Sequence, residues 1–415
     1  MNHPTRSLFL PILAFGSVFF AAFESAGGDW PQWRGPNRDG ISEEKGLLQE
    51  WPEGGPKLAW KARGMGVGYS SVAVAGGRIY TQGDLADGSY ALAFAEKDGS
   101  PVWKTRIGEA GGHKKYPGTR GTPTADGGQV FVLNQHSDLA CLDAASGDRL
   151  WTVNLTNDFG GEMMSGWKYS ESPLVDGERV VVTPGGKKGT VLALNRKTGE
   201  KLWQTGEWTD SAGYSSVIVA TIHGMRQYLQ LTGQSLAGIA PDSGEVLWKA
   251  DRPGKTAVIA TPVVAGDVVF VTSNYGVGCN GFRVGRDGDR WSASEIYASK
   301  DISNHHGGVV LLNGYVYGGS GPTFCCLDIA TGELKYAERS AGKGATTYAD
   351  GRYYLRAESG PMALIQASPD GYEEKGRFDQ PDRSDQKAWA HPVIANGKLY
   401  LRDQDLLLCY DISAR

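Results

Sequence analysis

One motif returns along the whole chain at a spacing that suits a ring of equal sheets. An acidic or amide residue is followed by Ser or Thr, Gly, and an aromatic four residues later. Clear copies are Asp143-Ala144-Ala145-Ser146-Gly147-Asp148-Arg149-Leu150-Trp151, Asn195 to Trp203, Asp242 to Trp248 and Asp328 to Tyr336. Asp and Asn bond the backbone ahead of them and Gly supplies a positive φ, so each copy reads as strand, tight turn, strand. Weaker copies end at Trp103, Trp291 and Phe378, and an orphan copy of the last strand sits early, at Lys57-Leu58-Ala59-Trp60. The closing aromatics are therefore Trp60, Trp103, Trp151, Trp203, Trp248, Trp291, Tyr336 and Phe378. Their mean spacing is about 45 residues, in the range of four-stranded propeller blades.

Each unit also opens alike, as in Thr122-Pro123, Ser172-Pro173, Thr261-Pro262 and His391-Pro392. A single blade cannot bury both faces, so the units must stack around an axis. The expected fold is all-β: an eight-bladed β-propeller of four-stranded blades. The last blade has no outer strand after it, so the strand near Trp60 is expected to fill that place and close the ring, leaving no edge open.

Composition bounds the rest. Gly makes up 59 of 415 residues, with no collagen-like period, so the excess belongs to turns. A net charge of −4 without a basic stripe argues against nucleic acid as a partner. Residues 1–26 read as a secretory signal peptide, with Arg6 ahead of an apolar core from Leu8 to Phe23 that is short for a membrane span. The expected location is periplasmic or secreted, not integral to the membrane if the signal is cleaved; an uncleaved anchor is the alternative. Residues 27–56 read as an extension packed on the propeller through Trp30 and Trp33, and residues 57–415 as the propeller. Cys141, Cys326 and Cys409 occupy equivalent places in different blades and read as small buried hydrophobes. A vicinal Cys325–Cys326 disulfide is the alternative there, and Cys279 is unassigned.

Residues just before each innermost strand, and those between the second and third strands, should ring one mouth of the central channel. The first group holds Tyr69, Arg120, Tyr169, Glu171, Tyr214, His305, His306, Trp389 and His391; the second holds His136, Lys187, Asn274, Glu358 and Asp403. Two insertions, Ile107 to Thr119 and Asn157 to Tyr169, should overhang the same face, with Tyr116 and Trp167 as exposed aromatics. Turns need none of these side chains, so their concentration there marks a convergent polar site. His305-His306 invites a zinc reading, with one histidine paired to His391 or Glu171 across the channel. Neighbours on a strand point opposite ways, which argues against one ion shared by both.

The Asp-x-x-[Ser/Thr]-Gly-x-x-x-Trp repeat resembles that of the pyrroloquinoline quinone (PQQ) family of eight-bladed propellers, over roughly residues 29 to 411. The opening Asp29-Trp30-Pro31-Gln32-Trp33-Arg34-Gly35 is similar to that of exported PQQ-like repeat proteins. The family includes quinoprotein alcohol dehydrogenases and the non-catalytic BamB outer-membrane assembly factor. Two readings follow. The first is an exported binding or scaffold protein of the cell envelope, with an envelope protein, peptide or polysaccharide at the channel mouth. The second is a PQQ- and calcium-dependent alcohol dehydrogenase acting on a small alcohol. The resemblance then implies calcium on Glu171 and Asn274, a quinone held by Arg120 or Lys187, and a base among Glu358, Asp403 and His306. The dehydrogenases carry extra loops over the pocket, and no Asp here clearly takes the place of their base, so binding ranks ahead of catalysis.

Overall fold

The computed structural model describes Met1 and residues 28–414, so residues 2–26 of the expected signal segment lie outside the described residues. Seven four-stranded antiparallel sheets and one five-stranded sheet form the eight blades. Blade two shows the unit, as Thr124–Asp126, Gln129–Leu133, Asp138–Asp143 and Arg149–Asn154 from the inside outward. Its alternating side chains feed two interfaces: Phe131, Leu133, Leu139 and Cys141 pack toward blade three, while Val130, Val132, Ala140 and Leu142 pack toward blade one. A bulge between Cys141 and Leu142 interrupts the outer pairing directly after Cys141 meets Trp151. The same irregularity recurs in blades one, three, four and six.

This register explains why the turn and the aromatic recur together. The aromatic of one blade is roofed by the turn of the next. Trp103 Nε1 donates to Ala144 O at 3.0 Å, Trp151 Nε1 to Arg196 O at 2.8 Å and Trp203 Nε1 to Pro241 O at 3.0 Å. A Cβ on Gly147 would stand 2.6 Å from Trp103, which is closer than packed carbon atoms approach. Gly147 is thus required twice, by its φ of 78° and by the indole beneath it. The repeat is a latch between blades.

Two of the expected closing aromatics are displaced. In blade five the position opposite the bulge is Tyr297, whose hydroxyl donates to Ile329 O at 2.8 Å and whose ring lies under Gly332. Trp291 pairs with Arg286 near the tip of a lengthened hairpin, with the guanidinium 4.9 Å above it. In blade seven the position is Gly376, and Trp51 from the extension lies against it, 5.0 Å from Phe378. An aromatic from elsewhere in the chain supplies what the blade lacks.

The ring closes as the orphan strand requires. Lys57–Arg63 pairs antiparallel with Leu406–Asp411, with Trp60 opposite Cys409. All five cysteines are buried and free, so Cys325 and Cys326 are not bridged. The one helix among the described residues, Leu155–Phe159, starts the second insertion, and Asn154 caps it by accepting from Asn157 N.

Residues 30–42 do more than lie against the ring: they plug its axis. Trp30 bridges to Val74 of blade one, and Pro31 O accepts from Ala125 N of blade two. Arg38 donates to Ser172 O and Pro173 O at the start of blade three. Arg34 donates to Val309 O in blade six, where Gly308 has no Cβ to obstruct the guanidinium. Ile41–Ser42 then runs parallel to Gly344–Ala349 as a fifth, innermost strand of blade seven. A ring of eight blades leaves an axial hole wider than side chains fill, and this segment satisfies the inner strands' polar groups there.

Candidate functional site

The plug gives the channel mouth a floor. Trp33 donates from Nε1 to Thr261 Oγ1 at 3.3 Å and packs 4.3 Å from the His391 ring. Above it lies a cavity of about 280 Å³. Links between blades bring Tyr69, Arg120, Tyr214, His305, His306, Trp389 and His391 to its wall. Turns between second and third strands add Tyr275 and Glu358, and the second insertion adds Trp167.

Aromatic rings form the upper wall. Trp389 stands 4.7 Å from Tyr69 and 4.8 Å from Tyr116, at interplanar angles of 43° and 50°. The two insertions clasp each other through His113 stacked 3.9 Å from Trp167, and Arg120 ties both by donating to Trp167 O and Tyr116 O. Tyr116 and Trp167 are consequently half-buried lining residues, where free exposed aromatics were expected.

Glu358 is the centre of the polar wall. It accepts from Trp389 Nε1 at 3.0 Å and pairs with Lys343 at 3.0 Å and Lys387 at 3.3 Å. Burial alone would push its carboxyl up; the Trp389 and Lys343 hydrogen bonds and the Lys387 charge outweigh that and hold it below the usual carboxylate range. His306 is 7% exposed, its Nε2 is 3.7 Å from the Glu358 carboxylate, and neither ring nitrogen has a hydrogen-bond partner in the protein. His305 contacts the Tyr275 hydroxyl at 3.0 Å and Lys343 Nζ at 3.3 Å. Burial, reinforced by Lys343, lowers His305 to about 4; burial, reinforced by Arg34, lowers His391 to about 3. Burial also drives His306 well below its ordinary value, so all three imidazoles are neutral near pH 7.

The two adjacent histidines do not point apart. They lie outside any strand, so pleat alternation does not apply, and ligand atoms of His305, His306 and Glu358 come within 4.8 Å of one another. His391 is directed elsewhere, with Nε2 2.8 Å from His306 O.

Six of the expected mouth residues, His136, Tyr169, Glu171, Lys187, Asn274 and Asp403, do not line the cavity. His136 sits under the first insertion, its Nε2 3.2 Å from Ala110 O. Tyr169 is buried and donates to Pro184 O at 2.8 Å. Glu171 is buried, accepts from Thr183 N and has its other oxygen unpartnered. Asn274 Oδ1 accepts from Tyr275 N at 2.5 Å. Asp403, a candidate base, is buried and accepts from Gln380 Nε2 and Ser384 N. Sequence reasoning missed Lys343, Lys387 and the role of Trp33. A lysine in a loop reads as a solvated charge, and Trp33 carried only a packing signal.

A family described as outer membrane protein assembly factor BamB matches residues 86–333. An outer membrane protein assembly factor BamB from Shewanella oneidensis is 28% identical over 250 residues, covering 53% of this chain and 57% of that protein. A quinoprotein ethanol dehydrogenase from Pseudomonas aeruginosa is 27% identical over 163 residues, covering 36% of this chain and 25% of that protein. The chain thus spans little more than half the length of the first and a quarter of the second. Among solved structures, a europium-containing methanol dehydrogenase superposes with a TM-score of 0.66 at 12% identity, covering 90% of this chain and 89% of that one, a likeness of fold.

Proposed function

Because the chain belongs to the BamB family of PQQ-like propellers, we propose that it is an exported binding or scaffold propeller of the cell envelope that holds its ligand or partner at the channel mouth. The observation that carries this reading is the cavity floored by Trp33 and walled by Trp389, Tyr69 and the Glu358 cluster. It is concave, aromatic and polar at once, and it rests on loops fixed by a rigid ring, as recognition sites do. An envelope setting draws support from the assembly-factor relative and from the apolar segment at Leu8 to Phe23.

The dehydrogenase reading draws on the quinoprotein relative, but the residues present do not suit its metal. Calcium takes six to eight oxygen ligands. Glu171 and Asn274 do not line the cavity, and its one lining carboxylate, Glu358, is held by two lysines and an indole.

A photoreactive phenylalanine placed at Tyr116 in the full chain tests the mouth, with Lys197 in a turn of the opposite face as control. Crosslinks to an envelope component from position 116 and none from position 197 are expected. Equal crosslinking from both, or none from position 116, would overturn the reading. Added PQQ and Ca²⁺ should leave visible absorption and melting unchanged; dye-linked alcohol oxidation would restore the enzyme reading.

A further inference from the structure

Building on the reading of the mouth as a recognition site, we propose that the cavity takes a carboxylated sugar ring, the end or branch of an acidic polysaccharide. Charge is the first argument. Arg120, Lys343 and Lys387 face the cavity against the single carboxylate of Glu358, while its histidines are neutral. Three cations against one anion leave two positive charges in excess in a half-enclosed, partly apolar space, where attraction to an anion is stronger than in bulk water. A carboxylate there would gain charge-assisted hydrogen bonds from the lysines.

The shape and lining argue for a sugar. At about 280 Å³ the cavity suits one ring and not a folded partner. Trp33 closes it below, so a ligand enters end-on. The Trp389 ring is tilted against Tyr69 and Tyr116, and the one near-parallel pair among the lining rings, Tyr116 and Trp167, stands only 5.7 Å apart, too close to admit a planar heterocycle between them. Such faces suit the C–H groups of a saturated ring, which meet the negative face of an aromatic. Tyr69, Tyr214, Tyr275, Ser170 and Ser216 also line the cavity; each hydroxyl is bonded within the protein but keeps capacity for one more hydrogen bond, which a polyhydroxylated ligand can take.

His306 is the second observation that points to a ligand. A buried imidazole with both nitrogens unpartnered is costly, and a ligand hydroxyl would restore the missing hydrogen bond. A divalent metal on His305, His306 and Glu358 would answer the same vacancy, but the electrostatics oppose it. Lys343 Nζ already stands 3.0 Å from Glu358 and 3.3 Å from His305, where a cation would sit, and an ion would add two charges to a positive cluster.

The test titrates the full chain with sodium D-galacturonate and D-glucuronate, and with neutral D-galactose and D-glucose, by calorimetry and tryptophan fluorescence. An acidic sugar should bind about tenfold more tightly than its neutral parent, with a fluorescence change from Trp33 and Trp389, and salt should erode the difference. Lys343→Gln combined with Lys387→Gln should remove that preference; the wild-type comparison stands even if this variant folds poorly. Equal affinity for acidic and neutral sugars would overturn the carboxylate and keep the mouth as the site. Absence of sugar binding, with crosslinking from position 116 intact, would overturn the saccharide and leave the recognition reading standing. Tighter binding of N-acetyl-Ala-Ala with a free carboxylate would assign the cavity to peptide chain ends, and Zn²⁺ binding abolished by His306→Ala would assign it to a metal; either sinks the proposal.

Discussion

Gly147 and Gly128 make a controlled experiment inside one blade. Their φ values are 78° and 79°, but a Cβ on Gly147 meets Trp103 at 2.6 Å while one on Gly128 meets nothing within 4 Å. Gly128→Ala should cost only the left-handed backbone penalty, about 1–2 kcal/mol. Gly147→Ala carries the same penalty plus the overpacking of the indole, about 1–3 kcal/mol more. Loss of chain entropy in the unfolded state is the same for both and cancels in the difference. Urea unfolding of the two variants reads that difference directly. The latch also predicts coupling: in a Trp103→Ala background the excess cost of Gly147→Ala over Gly128→Ala should vanish, because the atom it strikes is gone. Equal costs for the two alanines, or an excess that survives removal of Trp103, would refute the account of the repeat as a contact between blades.

A chain beginning at Gly64 should lose cooperative unfolding, because it lacks the outer strand of blade eight at Lys57–Arg63, the Trp51 patch on blade seven and the axial plug; a melt matching the full chain would contradict the closure. Glu171→Gln should stabilise the protein at pH 8 and not at pH 4. Burial raises the Glu171 carboxyl to about 7 from an ordinary 4.5, with the Thr183 hydrogen bonds and the Arg38 charge opposing. The folded state therefore binds the extra proton between those values, and stability falls as pH rises from about 4.5 to 7, by up to about 3 kcal/mol. A gain from Gln that is the same at both pH values would show that the charge is not the cause.

The blades were legible because turn chemistry and aromatic spacing are local. Asp143, Ser146 and Gly147 must sit where a tight turn needs them, and Trp151 must follow at a fixed register. From that period came the eight-bladed ring and its closure by the strand at Trp60. The same period failed where a contact could be supplied otherwise: blade five lengthens its hairpin and uses Tyr297, and blade seven borrows Trp51. Position within the blade brought residues as distant as Tyr69 and His391 to one mouth, since each precedes an innermost strand. It could not tell which side chains turn into the cavity. Glu171 and Tyr169 precede an innermost strand as His391 does, yet they bond backbone beneath the surface. Nor could it place residues 30–42, which have no period: only the width of the assembled channel sends them down the axis and makes Trp33 a floor. Local geometry is written in short-range sequence, whereas the pairing of Glu358 with Lys343 and Lys387 exists only once separate loops are held on one rigid ring.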